Sequence, residues 1–466
     1  MTARPPTAGP AVTSPPEGPV AAVATYPMTV EQQSIWLDEA LHDGPSRYLE
    51  SWVYRLAGQV DERGVDWTYR ELVRRHEGLR SRYLLLDDEL VQQVLPPERA
   101  PGAARRACSP VELDAELRRL VSRPLDLTDA PVRATLLCLA EDDVVLVVQF
   151  HHIVVDDWAV HVLEQEFEEC YRAWLAGRPV PLGEAPQPGR YALTQRRGRP
   201  AAQVRAYWRD QLAELPPDAA YSLPPDSPGP AHSPGPADRP GSTGRGRAGG
   251  ARLRFALEPA VRQRIRAACK QLRVTPFVLF AAAVGALLAA RTGSSDAVVG
   301  TPVSRRGSAE SDRMVAYLTQ VLPLRLRVDT GGTFAELVGQ TKRVAAGAMT
   351  HRDITAAELT QPLRRSGAGA PVLTRTVLVL DDDAAGMDLP GVTAEPLPVP
   401  SGASKYDLLL TLVARGRGYQ GFLDYAGDRY TERTARRFAD ELAALLAAAT
   451  DDPQRPLDRL LAAAAI

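Results

Sequence analysis

Proline, glycine and serine dominate residues 216–250, near the middle of a chain of 466 residues. A stretch of this composition buries too little apolar surface to form a core, so it is typical of a linker. The whole chain is also too long for one ordinary core, since domains usually hold about 100 to 200 residues. We therefore predict an N-terminal lobe at residues 26–215, a linker at residues 216–250 and a C-terminal lobe at residues 251–466. Residues 1–25 lack the apolar core of a signal peptide and are predicted to be a disordered leader.

The charge of the chain is nearly balanced, with a formal net charge of −2 at pH 7. Such a chain has no broad positive electrostatic field that would attract nucleic acid or an anionic membrane, so we expect neither as a partner. The apolar run at residues 274–290 resembles a membrane span in composition, but Thr275 and Pro276 give it the start of an ordinary helix. We predict a buried core helix there and a cytoplasmic protein. The four cysteines lie far apart, which indicates reduced thiols.

Helical and strand patterns are mixed in both halves, which predicts an α/β fold with two lobes of similar size. Thr29 and Gln32 fit a capping box at the start of the first helix. The other predicted helices cover residues 67–79, 159–175, 259–271, 275–291 and 431–450. The predicted strands cover residues 81–86, 132–139, 144–150, 251–257, 296–302, 320–328, 373–380 and 406–413.

Two adjacent histidines, His151 and His152, follow the apolar strand predicted at residues 144–150, and Asp156 comes shortly after them. Because a helix is predicted from residue 159, these side chains fall in a strand-to-helix turn. Rigid elements on both sides hold such a turn, and its side chains are free to face a cleft. An imidazole and a carboxylate in one tight turn make His151 and His152 the candidate catalytic residues.

Two other kinds of site were weighed for these histidines. Adjacent side chains in an extended strand point to opposite faces, so His151 and His152 would not share one metal ion, and the remaining histidines are scattered. No metal site is therefore predicted. A serine hydrolase would need a G-x-S-x-G nucleophile elbow, which the chain lacks. What remains is a histidine acting on a substrate that brings its own nucleophile, as in acyl transfer between two delivered substrates.

The stretch from His151 to Trp158 resembles the His-His-x-x-x-Asp-Gly motif of nonribosomal peptide synthetase condensation domains. The resemblance covers nearly all of residues 26–460. Residues 29–37 resemble the family's Ser-x-x-Gln-x-x-x-Trp motif, and residues 75–80 are similar to its Arg-His-Glu-x-Leu-Arg motif. Further matches follow in order at residues 207–208, 300–303, 322–325, 351–353 and 405–407.

The resemblance implies an α/β fold of two chloramphenicol acetyltransferase-like lobes, arranged as a V-shaped pseudo-dimer with a tunnel between them. Phosphopantetheine arms would enter the tunnel from opposite faces. The implied partners are a donor carrier protein with an acyl-phosphopantetheine, and either an acceptor carrier protein or a small-molecule nucleophile. The protein would need no cofactor of its own, because the phosphopantetheine arrives on the partners, and we expect a monomer.

The resemblance also implies a role for each motif residue. His152 would lie near the thioester carbonyl and the nucleophile, where it acts as a base or as a positioning group. Asp156 would be a structural carboxylate paired with Arg306, which matches the arginine of the family's Gly-Thr-Pro-Val-x-x-Arg stretch. Alternatively, Asp156 only caps the following helix, and the two roles are compatible.

The motif departs from the family pattern at Asp157, which replaces the glycine, and further departures are Gln320 for Asn and Ala316 for Gly. We expect the Asp157 carboxylate to point away from the reaction and to cap a helix starting at Trp158. Trp158 matches the peptide-bond-forming class, whereas epimerisation domains have Val-Ser-Trp after the motif. Racemisation is therefore not expected.

The predicted function is a condensation enzyme that forms an amide or an ester bond. The first alternative is a catalytically silent member of the same fold that recruits partners, which Asp157 favours. The second is an acyltransferase that uses a soluble acceptor or coenzyme A. The chain starts at a methionine and has no adenylation or carrier segment, which predicts a stand-alone enzyme working in trans.

Overall fold

A computed structural model describes residues 22–41, 46–195, 201–215, 221–226, 249–364, 373–382, 386–399, 402 and 404–464. Most of the predicted leader and linker lie outside these described residues, at positions 1–21, 216–220 and 227–248. The end of the predicted leader is part of a strand, because its backbone pairs with a later segment of the chain. Ordered structure therefore begins before residue 26.

The first half of the chain alternates strands and helices. Its strands are β1 (Ala24–Pro27), β2 (Leu49–Gly58), β3 (Ser81–Leu86), β4 (Glu89–Val94), β5 (Ala104–Ala107), β6 (Val132–Ala140) and β7 (Asp143–His151). Its helices are α1 (Val30–Ala40), α2 (Glu62–Arg75), α3 (Leu113–Val121), α4 (Asp157–Leu175), α5 (Pro188–Gln195) and α6 (Ala202–Gln211), with short 3₁₀ turns at Glu77–Arg80 and Pro97–Arg99.

The second half is also mixed. Its strands are β8 (Gly250–Leu257), β9 (Asp296–Ser304), β10 (Thr319–Arg327), β11 (Thr376–Asp382), β12 (Asp388–Leu389), β13 (Val392–Pro396), β14 (Leu408–Arg415) and β15 (Gly418–Ala426). Its helices are α7 (Pro259–Leu272), α8 (Pro276–Thr292), α9 (Ala309–Asp312), α10 (Phe334–Thr350), α11 (Ala356–Arg364), α12 (Glu432–Asp451) and α13 (Leu457–Ala464).

Each lobe is organised around a six-stranded sheet. The first lobe has the strand order β12-β13-β2-β7-β6-β5, and the second has the order β10-β9-β11-β14-β15-β8. A three-stranded sheet, β1-β4-β3, extends the first lobe. Separate hydrophobic clusters fill the two lobes, so each lobe has its own core.

Three elements, β12, β13 and α6, cross the division predicted from the sequence. Strand β13, from the second half, pairs antiparallel with β2 in the sheet of the first lobe, where Val392 lies opposite Gly58. Helix α6 falls in the predicted N-terminal lobe, but its Val204 and Trp208 pack in a cluster with second-lobe side chains such as Leu322. The lobes therefore exchange elements. Apart from these exchanges, the lobe ranges stay a prediction.

Helix α2 starts and ends earlier than the predicted helix at residues 67–79. The Asp61 carboxylate caps its first turn by accepting hydrogen bonds from the backbone N–H groups of Arg63 and Gly64, at 3.0 and 3.1 Å. The helix ends at Arg75, and a 3₁₀ turn follows. The cap lies in a polar stretch, whereas the prediction followed the apolar spacing that begins later. The capping box predicted at Thr29 and Gln32 is present.

Helix α8 is a core helix, as predicted. Its residues from Val278 to Ala289 are buried against the sheet and the neighbouring helices of the second lobe. In the described part of the chain, no single helix is both long and apolar enough to cross a bilayer. Only α7 and α8 taken together pass that test, and they are bent by 102° at their junction.

Strand β7 carries the histidine motif out of the core. It lies between β2 and β6 in the sheet, with Leu49 of β2 opposite His151. Its residues Val144–Phe150 are buried on both faces, which suits the continuous apolar run that predicted this strand. The end of β7 is therefore fixed from both sides before the chain enters the turn.

Candidate active site

The turn after β7 ends at an N-cap. The Asp156 backbone is extended, with φ −119° and ψ 176°, and its Oδ1 accepts a hydrogen bond from the Ala159 N–H at 2.9 Å. Helix α4 therefore begins at Asp157. The expectation that Asp157 caps a helix starting at Trp158 is wrong, because Asp156 already has the extended backbone and the carboxylate position that a cap requires.

His151 faces the interior of the first lobe. Its side chain is 1% exposed, and its Nδ1 accepts a hydrogen bond from the Ile153 N–H at 3.1 Å. Its Nε2 lies 3.9 Å from the Glu39 carboxylate. Burial lowers the pKa of His151, so the ring is neutral and fixes the turn from inside. The alternation of side chains along β7 predicted this inward orientation.

His152 faces the space between the lobes and is 14% exposed. Its Nδ1 lies 2.6 Å from the carbonyl oxygen of Val155, and because a carbonyl only accepts, Nδ1 carries the proton. The lone pair of the neutral ring is therefore on Nε2. Tyr317 of the second lobe packs against the ring edge to face, with centroids 5.1 Å apart. The tautomer and the ring plane are thus both held.

An ion pair lies beside Nε2 of His152. The Glu50 Oε1 is 3.4 Å from Nε2 and 2.9 Å from Nζ of Lys405, which comes from the second lobe. Burial and the Lys405 charge lower the pKa of His152 to about 4. Burial alone would raise the pKa of Glu50, but Lys405 and His152 lower it to about 2. At neutral pH the site therefore contains a neutral imidazole next to a charged Glu50–Lys405 pair.

Asp156 and Arg306 form the predicted ion pair between the lobes. The Arg306 Nη2 donates to Asp156 Oδ1 at 2.9 Å, and both side chains are 3% exposed. The other carboxylate oxygen, Oδ2, accepts from the Leu318 N–H at 3.0 Å and from the Thr319 hydroxyl at 3.1 Å. The pair and the helix cap exist together, so both roles considered for Asp156 are present.

Arg306 also holds the loop that faces the motif. Its Nη1 donates to the carbonyl oxygens of Ser311 and Met314, the latter at 2.7 Å, and its Nη2 donates to that of Ala316 at 3.0 Å. One guanidinium therefore ties the motif turn to the loop that carries Tyr317. The position of Tyr317 against His152 depends on the same arginine.

Asp157 and Trp158 are the first two residues of α4 and both are exposed. Trp158 is 51% exposed, and its indole N–H donates to the Asp312 carbonyl of the second lobe at 2.7 Å. Burial among protein groups and the negative charge of Glu50 raise the pKa of Asp157 to about 6, and Asp381 acts in the same direction. The expectation that its carboxylate points away from the reaction stays a prediction.

Several residues of this site were missed as functional candidates. Glu50 lies on β2, a strand that was not predicted. Lys405 was matched only as part of the family motif at residues 405–407, and no sequence pattern indicated a functional role for Tyr317. The strand-like pattern of residues 49–58 would have placed Glu50 on a strand, but not next to His152. In the described part of the chain, no three His, Cys, Asp or Glu side chains are grouped so that they would hold a metal ion.

The Asp156–Arg306 pair generates a prediction about stability. Asp156→Ala or Arg306→Ala leaves one buried charge unpaired, so each should lower the free energy of unfolding by about 3 to 5 kcal/mol. The double variant should lose much less than the sum. Urea denaturation of the four proteins gives the values. The exposed pair Arg436–Glu432 is the control, with single effects below about 1 kcal/mol. Strict additivity at residues 156 and 306 would show that the pair contributes no coupling.

Lys405 should set the protonation of His152. Lys405→Met removes a positive charge and leaves Glu50 unpaired beside Nε2, and both changes favour imidazolium. We expect the pKa of His152 to rise from about 4 towards 6.5 or above. NMR titration measures it, with His152→Gln for assignment and Lys270→Met as the control.

The same substitution should change how stability depends on pH. In the unsubstituted chain the folded state binds this proton less tightly than the unfolded state, so the group adds stability as pH rises from about 4 to 6.5. This part of the slope should shrink in Lys405→Met. An unchanged His152 titration would mean that Lys405 does not act on the ring.

The Condensation domain family model matches residues 23–464. Malpinin synthetase of Mortierella alpina is 27% identical in an alignment of length 451 that covers 94% of this chain and 6% of that protein. The phosphinothricin tripeptide synthetase PhsB of Streptomyces viridochromogenes is 29% identical in an alignment of length 466 that covers 96% of this chain and 38% of that protein. The chain thus spans well under half the length of these relatives.

A solved structure with the same fold is the X-domain in its complex with OxyB from teicoplanin biosynthesis. It has a TM-score of 0.80 and 24% identity, covering 97% of this chain and 98% of that chain. The predicted α/β fold with chloramphenicol acetyltransferase-like lobes is confirmed. Since the family model covers nearly the whole chain, this protein belongs to the condensation domain family of nonribosomal peptide synthetases.

Proposed function

We propose that this chain is a condensation enzyme of nonribosomal peptide or related natural-product assembly. It transfers an acyl or aminoacyl group from the phosphopantetheine thioester of a donor carrier protein to an amine or an alcohol. Condensation domains as a family work with carrier proteins. The tunnel for the phosphopantetheine arms, the stand-alone arrangement, the monomeric state, the cytoplasmic location and the lack of a cofactor of its own stay predictions.

The observation that carries this proposal is the orientation of His152. Its Nδ1–H is engaged by the Val155 carbonyl, which leaves the Nε2 lone pair directed into the space between the lobes. With a pKa of about 4, the ring is neutral at physiological pH and free to accept a proton. A histidine with only a structural role would not need a fixed tautomer whose unprotonated nitrogen faces a cleft.

The reaction follows from this arrangement. The amine nitrogen attacks the thioester carbonyl carbon, a C–N bond forms, and the carbonyl oxygen becomes an oxyanion. Nε2 of His152 takes the proton that the nitrogen loses. The C–S bond then breaks, and the proton passes to the departing sulfur, so the products are an amide and a free phosphopantetheine thiol. Proton transfer of this kind contributes roughly 10² to 10⁴ in rate.

The start of α4 would act on the oxyanion. The first N–H groups of a helix have no partner inside the helix, and they lie at the positive end of its dipole. Such groups stabilise the charge of a tetrahedral intermediate. The Asp157 carboxylate is on the same turn, and its charge would oppose the oxyanion. The net effect depends on how far Asp157 is ionised, and its pKa of about 6 puts most of it in the charged form at pH 7.

His152→Ala should abolish product formation while the protein stays folded. The loss should be about 10²-fold or more, because the proton acceptor is removed. The assay incubates the enzyme with a panel of acyl- and aminoacyl-loaded carrier proteins and amine or alcohol acceptors, and mass spectrometry detects the product. His161→Ala, which changes an exposed histidine on α4, is the matched control. Turnover of His152→Ala within tenfold of the unsubstituted rate would remove His152 from the chemistry.

A second candidate function is the silent recruitment of a partner. Two observations favour it: Asp157 stands where the family motif has a glycine, and the X-domain, whose fold this chain shares, is in a complex with OxyB. In this case the cleft would have no catalytic role, and an outer surface would bind the partner protein.

Substitution of Asp157 separates the two candidate functions. If the chain is an enzyme, Asp157→Gly and Asp157→Asn should stay within tenfold of the unsubstituted turnover, because this side chain is exposed to solvent. Asp157→Asn keeps the size of the side chain and removes its charge. Product from both variants, together with none from the unsubstituted chain, would favour the recruitment function.

A further inference from the structure

A polar cavity opens next to the Glu50–Lys405 pair, on the side of β2 that faces the second lobe. Its volume is about 220 Å³, enough for a small organic molecule. Its charged lining comes from both lobes: Arg47 and Glu50 from the first, and Arg252, Lys405 and Asp424 from the second. Glu50 connects this cavity to the candidate active site, because its Oε1 is 3.4 Å from Nε2 of His152.

The cavity presents both an anionic and a cationic face. Lys405 binds only one oxygen of Glu50, and in the described residues Oε2 accepts no hydrogen bond, while the side chain is 40% exposed. Its pKa of about 2 keeps this carboxylate ionised. In the same lining, Arg252 donates to Asp424 through Nε and one Nη at 2.6 and 2.8 Å, and its other Nη has no hydrogen-bond partner among the described residues. The Arg252 charge acts on Glu50 across the lobe boundary.

The charges of the lining are paired, but the pairs leave hydrogen-bonding positions unused. Among the described residues Lys405 pairs with Glu50, Arg252 pairs with Asp424, and Arg47 pairs with Asp38, which lies outside the lining. Oε2 of Glu50 and one Nη of Arg252 remain for a ligand. A ligand that offers one ammonium to Glu50 and one carboxylate to the arginine and lysine side would match both faces.

We infer that this cavity binds a small free amine that carries a carboxylate, such as an amino acid, as the acceptor of the condensation. The inference rests on the proposed function and names its substrate class. The ammonium group would bind at Glu50, whose Oε1 is 3.4 Å from Nε2 of His152. It would release one proton to solvent before its nitrogen attacks the thioester, and Nε2 would take the second proton once the C–N bond has formed. A carrier-bound aminoacyl group has an uncharged thioester in place of the carboxylate, so it would leave the cationic face unused.

Direct binding tests this inference without any turnover. The twenty free amino acids are screened by thermal shift, and the ligand with the largest effect is titrated by calorimetry. The same amino acid as its primary amide, and its decarboxylated amine, serve as matched ligands. We expect both to bind at least tenfold more weakly than the free amino acid. Equal binding of the amide, or no binding by any amino acid, would overturn the inference.

Variants locate the site. Arg252→Gln should weaken amino acid binding at least tenfold and leave binding of the amide unchanged. Arg47→Gln provides a second test if Arg252→Gln does not fold. Arg436→Gln, which breaks an exposed pair outside the cavity, is the control and should bind as the unsubstituted chain does. Unchanged binding in both cavity variants would place the ligand elsewhere and reject the assignment.

Failure of this inference can be told apart from failure of the proposed function. His152→Ala should still bind the amino acid, because the cavity charges remain. Turnover with carrier-bound acceptors, without binding of free amino acids, would keep the proposed function and reject the inference. Binding without turnover by any donor would keep the ligand class of the cavity but reject its role as the acceptor in a condensation.

Discussion

The carboxylate of Asp156 is buried between the lobes, and its four hydrogen bonds determine how they meet. One oxygen caps α4 and receives Arg306, and the other receives the backbone and a hydroxyl of the second-lobe loop. A buried charge is costly unless all of its hydrogen-bonding positions are used, and here they are used by groups from both lobes. The turn that carries His152 therefore has its shape only when the second lobe is in place.

The electrostatics of His152 also depend on both lobes. Glu50 comes from the first lobe, and Lys405 and Tyr317 come from the second. The Glu50 anion and the Lys405 cation next to Nε2 shift the pKa of His152 in opposite directions. Burial has the largest effect on this pKa and lowers it, so the ring stays neutral. Burial and the Glu50 charge also act on Asp157 and raise its pKa to about 6. A small change in the separation of the lobes would break the Glu50–Lys405 contact and alter the protonation of the ring.

Several contacts fix that separation away from the motif. Strand β13 of the second half is part of the first-lobe sheet, and the Trp158 indole donates to a carbonyl of the second lobe. Lys405 comes nine positions after the end of β13 in the chain, so the pairing of β13 with β2 also keeps Lys405 near Glu50. The proposed enzyme and the alternative recruiter would share this framework. They would differ in whether the cleft binds a substrate, and this depends on Asp157 and on the polar cavity beside Glu50.

The sequence by itself determined the local structure around the motif. The apolar run of β7, the capping box at Thr29 and the core helix α8 were predictable because their signals lie within one element. The motif residues and the Asp156–Arg306 pair came from the family resemblance. Only the tertiary structure decided that Asp156 rather than Asp157 caps α4, the placement of α6 and the position of Glu50 beside Lys405, 355 positions away. No periodic pattern reports such a contact, because it arises from the packing of one lobe against the other and from the charges that this packing buries.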